Sequence, residues 1–168
     1  MKDKKNLTLY TTRGALIAAL YVILTQLATI VGLSSGAIQF RISEAMCILP
    51  IFFPEAVPGL FIGCLVSNLL VPGAVIWDII FGSIATLIGA FGARLLRGVP
   101  KKFMWCATLP TVLSNMIIIP LVLIYAYGAP DSYWFLMFTV GLGEIVCAGV
   151  GGSALYYLMK KYEKLWLN

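Results

Sequence analysis

Five ionisable side chains interrupt otherwise apolar stretches of this chain: Arg41, Glu44, Glu55, Asp78 and Glu144. A charge inside a membrane segment is expensive to keep, so each is a candidate for a working role. Gln26, Gln39, Asn68 and Asn115 add neutral amides to the same stretches. Carboxylates and amides in concert suit a ligand rich in N–H donors. A carboxylate accepts two parallel bonds from an amidine-like edge, such as guanine presents. Phe40, Trp77, Tyr125, Tyr127, Tyr133 and Trp134 stand near these groups in sequence. They could stack a flat ring, and they equally fit an interfacial aromatic belt.

Each charge also has a quieter reading. Arg41 and Glu44 are three apart and would pair along a helix. Asp78, near a helix start, suits the positive end of the dipole. Glu55, between Pro54 and Pro58, fits a cap or turn. Glu144 falls about eleven residues into the last apolar run, so it needs a cavity or a polar partner there. Enzyme chemistry finds no support. The chain has no His, which excludes His-based catalysis and His metal ligation. It has no P-loop, nucleophile elbow or metal-ligand spacing. Cys47, Cys64, Cys106 and Cys147 lie singly within apolar runs and read as small packing residues. No metal and no cofactor are expected.

The elements that must position these residues are read from composition. Of 168 residues, 61% are hydrophobic and 11% charged, and the mean hydropathy is +0.96. A soluble domain carries about 25% charged residues, so most of this surface faces lipid. Apolar runs predict six transmembrane helices over 8–33, 39–53, 58–71, 76–96, 103–127 and 133–159. The turn Ser34-Ser35-Gly36 ends the first run, and Pro72-Gly73 ends the third. The second and third are barely long enough to cross alone, and a re-entrant hairpin is the alternative. Eleven of the twelve Lys and Arg lie in the N-terminal tail, the 94–102 loop or the C-terminal tail. That distribution places both termini in the cytoplasm and leaves no basic groove for nucleic acid. The predicted fold is therefore all-α, one polytopic domain over 1–168 in the cell membrane. Arg41, Glu44, Asn68 and Asp78 then gather at the outer face, with Glu144 near mid-membrane. Small residues recur at helical spacing: Ala15 and Ala19 with Gly14 and Ala18; Gly82, Ala85, Gly89 and Gly92; Ala148, Gly149, Gly152 and Ser153. Such seams serve packing within the bundle or against a partner.

Two stretches carry a family resemblance. One is Gln39-Phe40-Arg41-Ile42-Ser43-Glu44-Ala45, then Leu49-Pro50, then the run from Phe53-Pro54-Glu55 to Phe61-Ile62-Gly63. The other is Trp77-Asp78-Ile79-Ile80-Phe81-Gly82-Ser83 with Ala85-Thr86-Leu87. The chain resembles the queuosine-precursor S components of energy-coupling factor (ECF) transporters. The resemblance implies a substrate-binding subunit that captures a 7-deazaguanine base from outside. It implies a T component and two ATPase subunits as partners, which use the ATP. It implies docking through the pattern matched by Ala15 and Ala19. Substrate binding is expected at Glu44, Asn68, Asp78 and Glu144, with Arg41 orienting Glu44. The alternative is a self-sufficient small transporter or channel acting as a homo-oligomer; a third reading is a structural membrane subunit.

Overall fold

The structure, a computed structural model, describes residues 2–33 and 39–163, with side chains from residue 7 onward. The expected turn at Ser34-Ser35-Gly36 and the charge of Lys164 lie outside the described residues. Helix α1 covers Lys2–Ile30. Its apolar span shows lipid most of its surface, with Leu16, Leu20, Ile23 and Leu27 exposed. One stripe, Ile17, Tyr21 and Ala28, turns inward. A 3₁₀ helix follows over Ile42–Ile51. It rises about 2.0 Å per residue, so ten residues cover roughly 20 Å where an α-helix would cover about 15 Å. A tight turn at Pro54-Glu55 reverses the chain into α2, Ala56–Leu70. Pro58 fits there because first-turn N–H groups have no helical acceptor.

Helix α3 spans Ile76–Leu95. A 3₁₀ stretch over Lys101–Thr108 leads into α4, Leu109–Tyr125, with Pro110 in its first turn and Pro120 inside it. Helix α5, Tyr133–Glu144, starts on Ser132, whose hydroxyl accepts from Phe135 N at 3.4 Å. A π-helical stretch, Ile145–Gly151, carries the rod without a break into α6, Gly152–Lys161. The chain is all-α among the described residues. Four rods are long and apolar enough to cross a bilayer: Leu7–Ile30, Ile76–Gly98, Lys101–Tyr125 and Tyr133–Lys161. The protein is therefore a multi-pass membrane protein.

The second and third predicted helices are the short ones. They form a helical hairpin, and its 3₁₀ arm runs through the middle of the bundle against α1, α3, the π stretch and α6. Most of that arm is buried. Basic residues hold the tip of the hairpin. The Arg13 guanidinium pairs with Glu55 at 3.6 Å and lies over the Phe53 ring. Arg94, in the last turn of α3, donates to the Pro50 and Ile51 carbonyls at 2.9 and 3.3 Å. Those carbonyls end a helix and would otherwise lack partners. The tip thus lies level with Arg13, in the N-terminal half of α1, and with Arg94 in the last turn of α3, so the hairpin reaches through most of the bundle's depth. Glu55 serves as a turn residue with a fixed cation.

Close contact between α1 and α2 fixes the other wall. A Cβ at Gly59 would lie 2.6 Å from the Gly14 carbonyl oxygen, and one at Gly63 would lie 2.9 Å from that of Ala18. Small residues here let two backbones touch. The small-residue face of α1 is therefore divided. Gly14 and Ala18 meet α2, whereas Ala15 and Ala19 are exposed. The seams on the later helices pack internally, Gly89 against Thr111 and Gly152 against Thr108 and Ile48.

Candidate functional site

At the end of the bundle opposite the hairpin tip lies a cavity of about 340 Å³. That is the lower range of small-molecule sites, roughly 300–1,000 Å³. Its walls come from four places. Helix α1 presents Tyr21, Thr25 and Thr29, one turn apart on a single face. The stretch before the 3₁₀ helix presents Gln39, Arg41 and Ser43. Asn68 comes from the last turn of α2 and Asp78 from the first turn of α3. Tyr127, just past α4, closes one side. A short loop through Pro72 and Gly73 joins α2 to α3 and holds Asn68 and Asp78 side by side. Gly82 is small because a Cβ there would stand 3.0 Å from Asn68 Nδ2 and 3.8 Å from Arg41 Nη1. It makes room for the polar groups.

The electrostatic centre is an ion pair, Arg41 Nη2 to Asp78 Oδ1, at 3.8 Å. The Tyr127 hydroxyl donates to Asp78 Oδ2 at 3.0 Å and accepts from the Val75 N–H at 3.2 Å. Burial and the nearby Asp78 carboxylate push the Tyr127 phenol up, so it remains a donor at neutral pH. Arg41 therefore pairs with Asp78 and not with Glu44, as the three-residue spacing had implied. The reason is local. Arg41 has non-helical backbone angles, φ −92° and ψ 82°, and precedes the helix, so a helical i, i+3 pairing does not apply to it.

Glu44 is fully buried below the cavity. Its carboxylate accepts from the Tyr21 hydroxyl, from Thr86 Oγ1 at 3.0 Å and from Cys47 Sγ at 3.1 Å. Its bonds are made within the protein, and it anchors Tyr21, which does line the cavity. Glu144 lies away from the cavity wall, almost fully buried beside Asn115. Of the five residues expected from the sequence to serve substrate binding, the structure brings Arg41, Asn68 and Asp78 onto one wall system. Glu44 supports it from beneath, and Glu144 belongs to a deeper cluster. Ala15 lines a separate shallow groove between α1 and α2.

Sequence reasoning passed over Tyr21 and Thr25. Tyrosine and threonine are ordinary in membrane helices, and only their spacing at 21, 25 and 29 marks a polar stripe. The Thr25 hydroxyl meets Ser43 Oγ at 2.8 Å and fastens that stripe to the 3₁₀ helix. Of the aromatics considered for stacking, Tyr127 lines the cavity. Trp77 is exposed and stacks on Phe81, with centroids 6.1 Å apart. The cavity thus offers a guanidinium, a carboxylate, amides, hydroxyls and two phenol rings. It can hold a flat polar ring with donors and acceptors on its edge.

Comparison with known proteins adds an independent line. A family model described as QueT transporter matches residues 11–161. The queuosine precursor transporter QueT of Lactococcus lactis subsp. cremoris (strain MG1363) is 28% identical over 171 residues, covering 97% of this chain and 98% of the relative. No solved structure matches the chain.

Proposed function

Because the chain belongs to the QueT transporter family, we propose that this membrane transport protein is the substrate-capturing S component of an ECF transporter. Its cargo is a queuosine precursor built on a 7-deazaguanine base. The observation that carries this reading is the polar cavity at one end of an otherwise lipid-facing bundle. Asp78 and Asn68 match the donor-rich edge of such a base, and Tyr21 and Tyr127 offer faces for the ring. Arg41 holds Asp78 in place. A T component and two ATPase subunits supply the energy, docking against the exposed Ala15–Ala19 face of α1. Both termini lie in the cytoplasm, and the cavity opens outward.

Binding is tested on the purified protein with a panel of 7-deazapurines. A ligand at about a hundred times its Kd should stabilise the fold by about 2.7 kcal/mol. Asp78→Ala should weaken binding tenfold or more, the equivalent of one charge-assisted bond of about 1.5–3 kcal/mol. Its melting in the absence of ligand is measured alongside, because Arg41 and Tyr127 both lose a partner. Wild-type affinity in this variant would remove Asp78 from the site. Uptake by the lone chain in vesicles, without ATPases, would favour the self-sufficient transporter instead.

Topology is checked by labelling single cysteines in a background lacking the four native ones. Positions 101 and 161 should react only from the cytoplasmic side and position 131 only from outside. External labelling at 101 would put the cavity on the wrong face for capture.

A further inference from the structure

Helices α3 and α4 touch where Gly92 meets Pro110; a Cβ on residue 92 would stand 2.4 Å from the Pro110 Cβ. Beside that contact lies an apolar groove of about 490 Å³, walled by Leu87, Ile88, Phe91 and Leu95 with Pro110. Ile88, Phe91 and Leu95 are exposed, so the groove faces lipid. Its end at Leu95 meets a cluster of cations. Leu95 closes α3, and a 3₁₀ turn, Leu96–Gly98, continues from it. Arg97 therefore stands two residues beyond the groove, roughly 4 Å along the axis. Lys101 and Lys102 open the 3₁₀ stretch that leads into α4 and packs back against that turn. Arg97, Lys101 and Lys102 are all exposed. Arg94 turns inward to the Pro50 and Ile51 carbonyls. The other three have no carboxylate partner among the described residues. No Asp or Glu occurs between Asp78 and Asp131, so α3 and α4 supply none below their outer ends. The same two helices frame another apolar groove at the opposite end, along Trp77, Phe81, Leu121 and Tyr125. The loops there, 71–75 and 126–132, carry no Lys or Arg.

We infer that the groove at Leu95 and its three cations form a binding site for an anionic phospholipid. One acyl chain lies along Ile88, Phe91 and Leu95, and the phosphate is held by Arg97, Lys101 and Lys102. Charge complementarity selects the lipid class. The guanidinium offers a fork to two phosphate oxygens, and the ammonium groups add compact point charges. Long side-chain stems let all three reach headgroup level, which the exposed Trp105 marks on the same stretch. A zwitterionic choline headgroup carries its own cation and would bring like charge to this cluster; an anionic one does not. Basic pockets between transmembrane helices hold anionic headgroups in this way. The rule that orients membrane proteins accounts for cations in this loop, but not for their place at the mouth of an apolar groove. The inner leaflet follows from the topology proposed above. The charge of the lipid depends neither on that topology nor on the cargo.

The test uses the full-length protein in phosphatidylcholine vesicles, with dibrominated phosphatidylglycerol or dibrominated phosphatidylcholine as a quencher of tryptophan fluorescence. Three single-tryptophan proteins report from three places, the other native tryptophans being replaced by Phe. Phe91→Trp reports from the groove, and the native Trp77 reports from the outer groove. Leu158→Trp reports from an exposed position on α6 beside Lys160 and Lys161. At position 91 phosphatidylglycerol should be preferred over phosphatidylcholine by about five- to tenfold. At positions 77 and 158 the preference should stay below about threefold. Replacing the cations together, Arg97→Gln with Lys101→Gln and Lys102→Gln, should cut the preference at 91 to below about twofold. Salt at about 1 M, where screening reaches within about 3 Å, should do the same with the native cations in place. The salt measurement decides if the triple variant does not fold. Equal preference at 91 and 158 overturns the site and leaves only a general attraction of the basic face. A preference that survives both salt and the triple variant overturns the role of the cations and with it the proposal. Absence of quenching at 91 by either lipid also overturns it, because protein, such as a second copy of this chain, then covers the groove.

Discussion

Ala19→Trp is expected to abolish uptake by cells while the purified variant binds cargo as the wild type does. The expectation follows from which side of α1 does the packing. Gly14 and Ala18 press on α2, and Ile17 and Tyr21 enter the core. Ala19 is exposed, with Leu16, Leu20 and Ile23 exposed around it. An indole there extends into lipid and displaces nothing, so the isolated protein should keep its stability within about 0.5 kcal/mol. A partner helix that approaches this face closely meets a different situation. Small residues allow backbone contact in a bilayer, where hydrophobicity alone gives no attraction between helices. A large ring holds the partner off, and the contact is lost as a whole. Two measurements decide: ligand affinity of the purified variant, and its recovery in a pull-down with the T component and ATPases. Lost binding with normal assembly would refute the docking face and make Ala19 a packing residue.

The long rods and the membrane setting were legible because they rest on hydropathy and charge placement, which are properties of windows of residues. The hairpin was less so. Its first arm has ten residues with Pro50 near the end, too short for a periodic signal, and it adopts the stretched 3₁₀ form inside the bundle. Only contacts such as Arg94 with the Pro50 carbonyl reveal how deep it reaches. Within the site, Arg41, Asn68 and Asp78 stood out because a charge or an amide in an apolar belt is rare. Pairing did not stand out, because sequence spacing put Arg41 beside Glu44 while the backbone at Arg41, just before the helix, is not helical. Glu144 and Asn115 lie on rods that meet only in three dimensions. The Gly59-to-Gly63 spacing was visible in the sequence, but its partner surface on Gly14 and Ala18 required the structure.

That last contact gives the sharpest stability prediction. Gly63→Ala adds one carbon, yet it is expected to cost more than the whole indole at position 19. A Cβ on residue 63 would meet the Ala18 carbonyl oxygen at 2.9 Å and the Tyr21 Cβ at 2.9 Å. Neither atom is the free end of a flexible side chain, so the two helices must separate or α1 must slide. Overpacking of this kind costs about 1–3 kcal/mol. The consequence extends to the cavity, because Tyr21 carries the hydroxyl that Glu44 accepts and also lines the wall. Moving α1 outward draws that ring from its place and loosens the Thr25–Ser43 contact behind it. Gly63→Ala should therefore lower the melting temperature of the empty protein and weaken cargo binding about tenfold, the loss of roughly 1.4 kcal/mol. Assembly with the partner subunits should suffer less, since Ala15 and Ala19 keep their exposure. A Gly63→Ala protein that melts and binds like the wild type, next to an Ala19→Trp protein that does neither, would exchange the two faces of α1. The packed seam would then be the one through Ala15 and Ala19, and the docking surface would have to be sought elsewhere on the bundle.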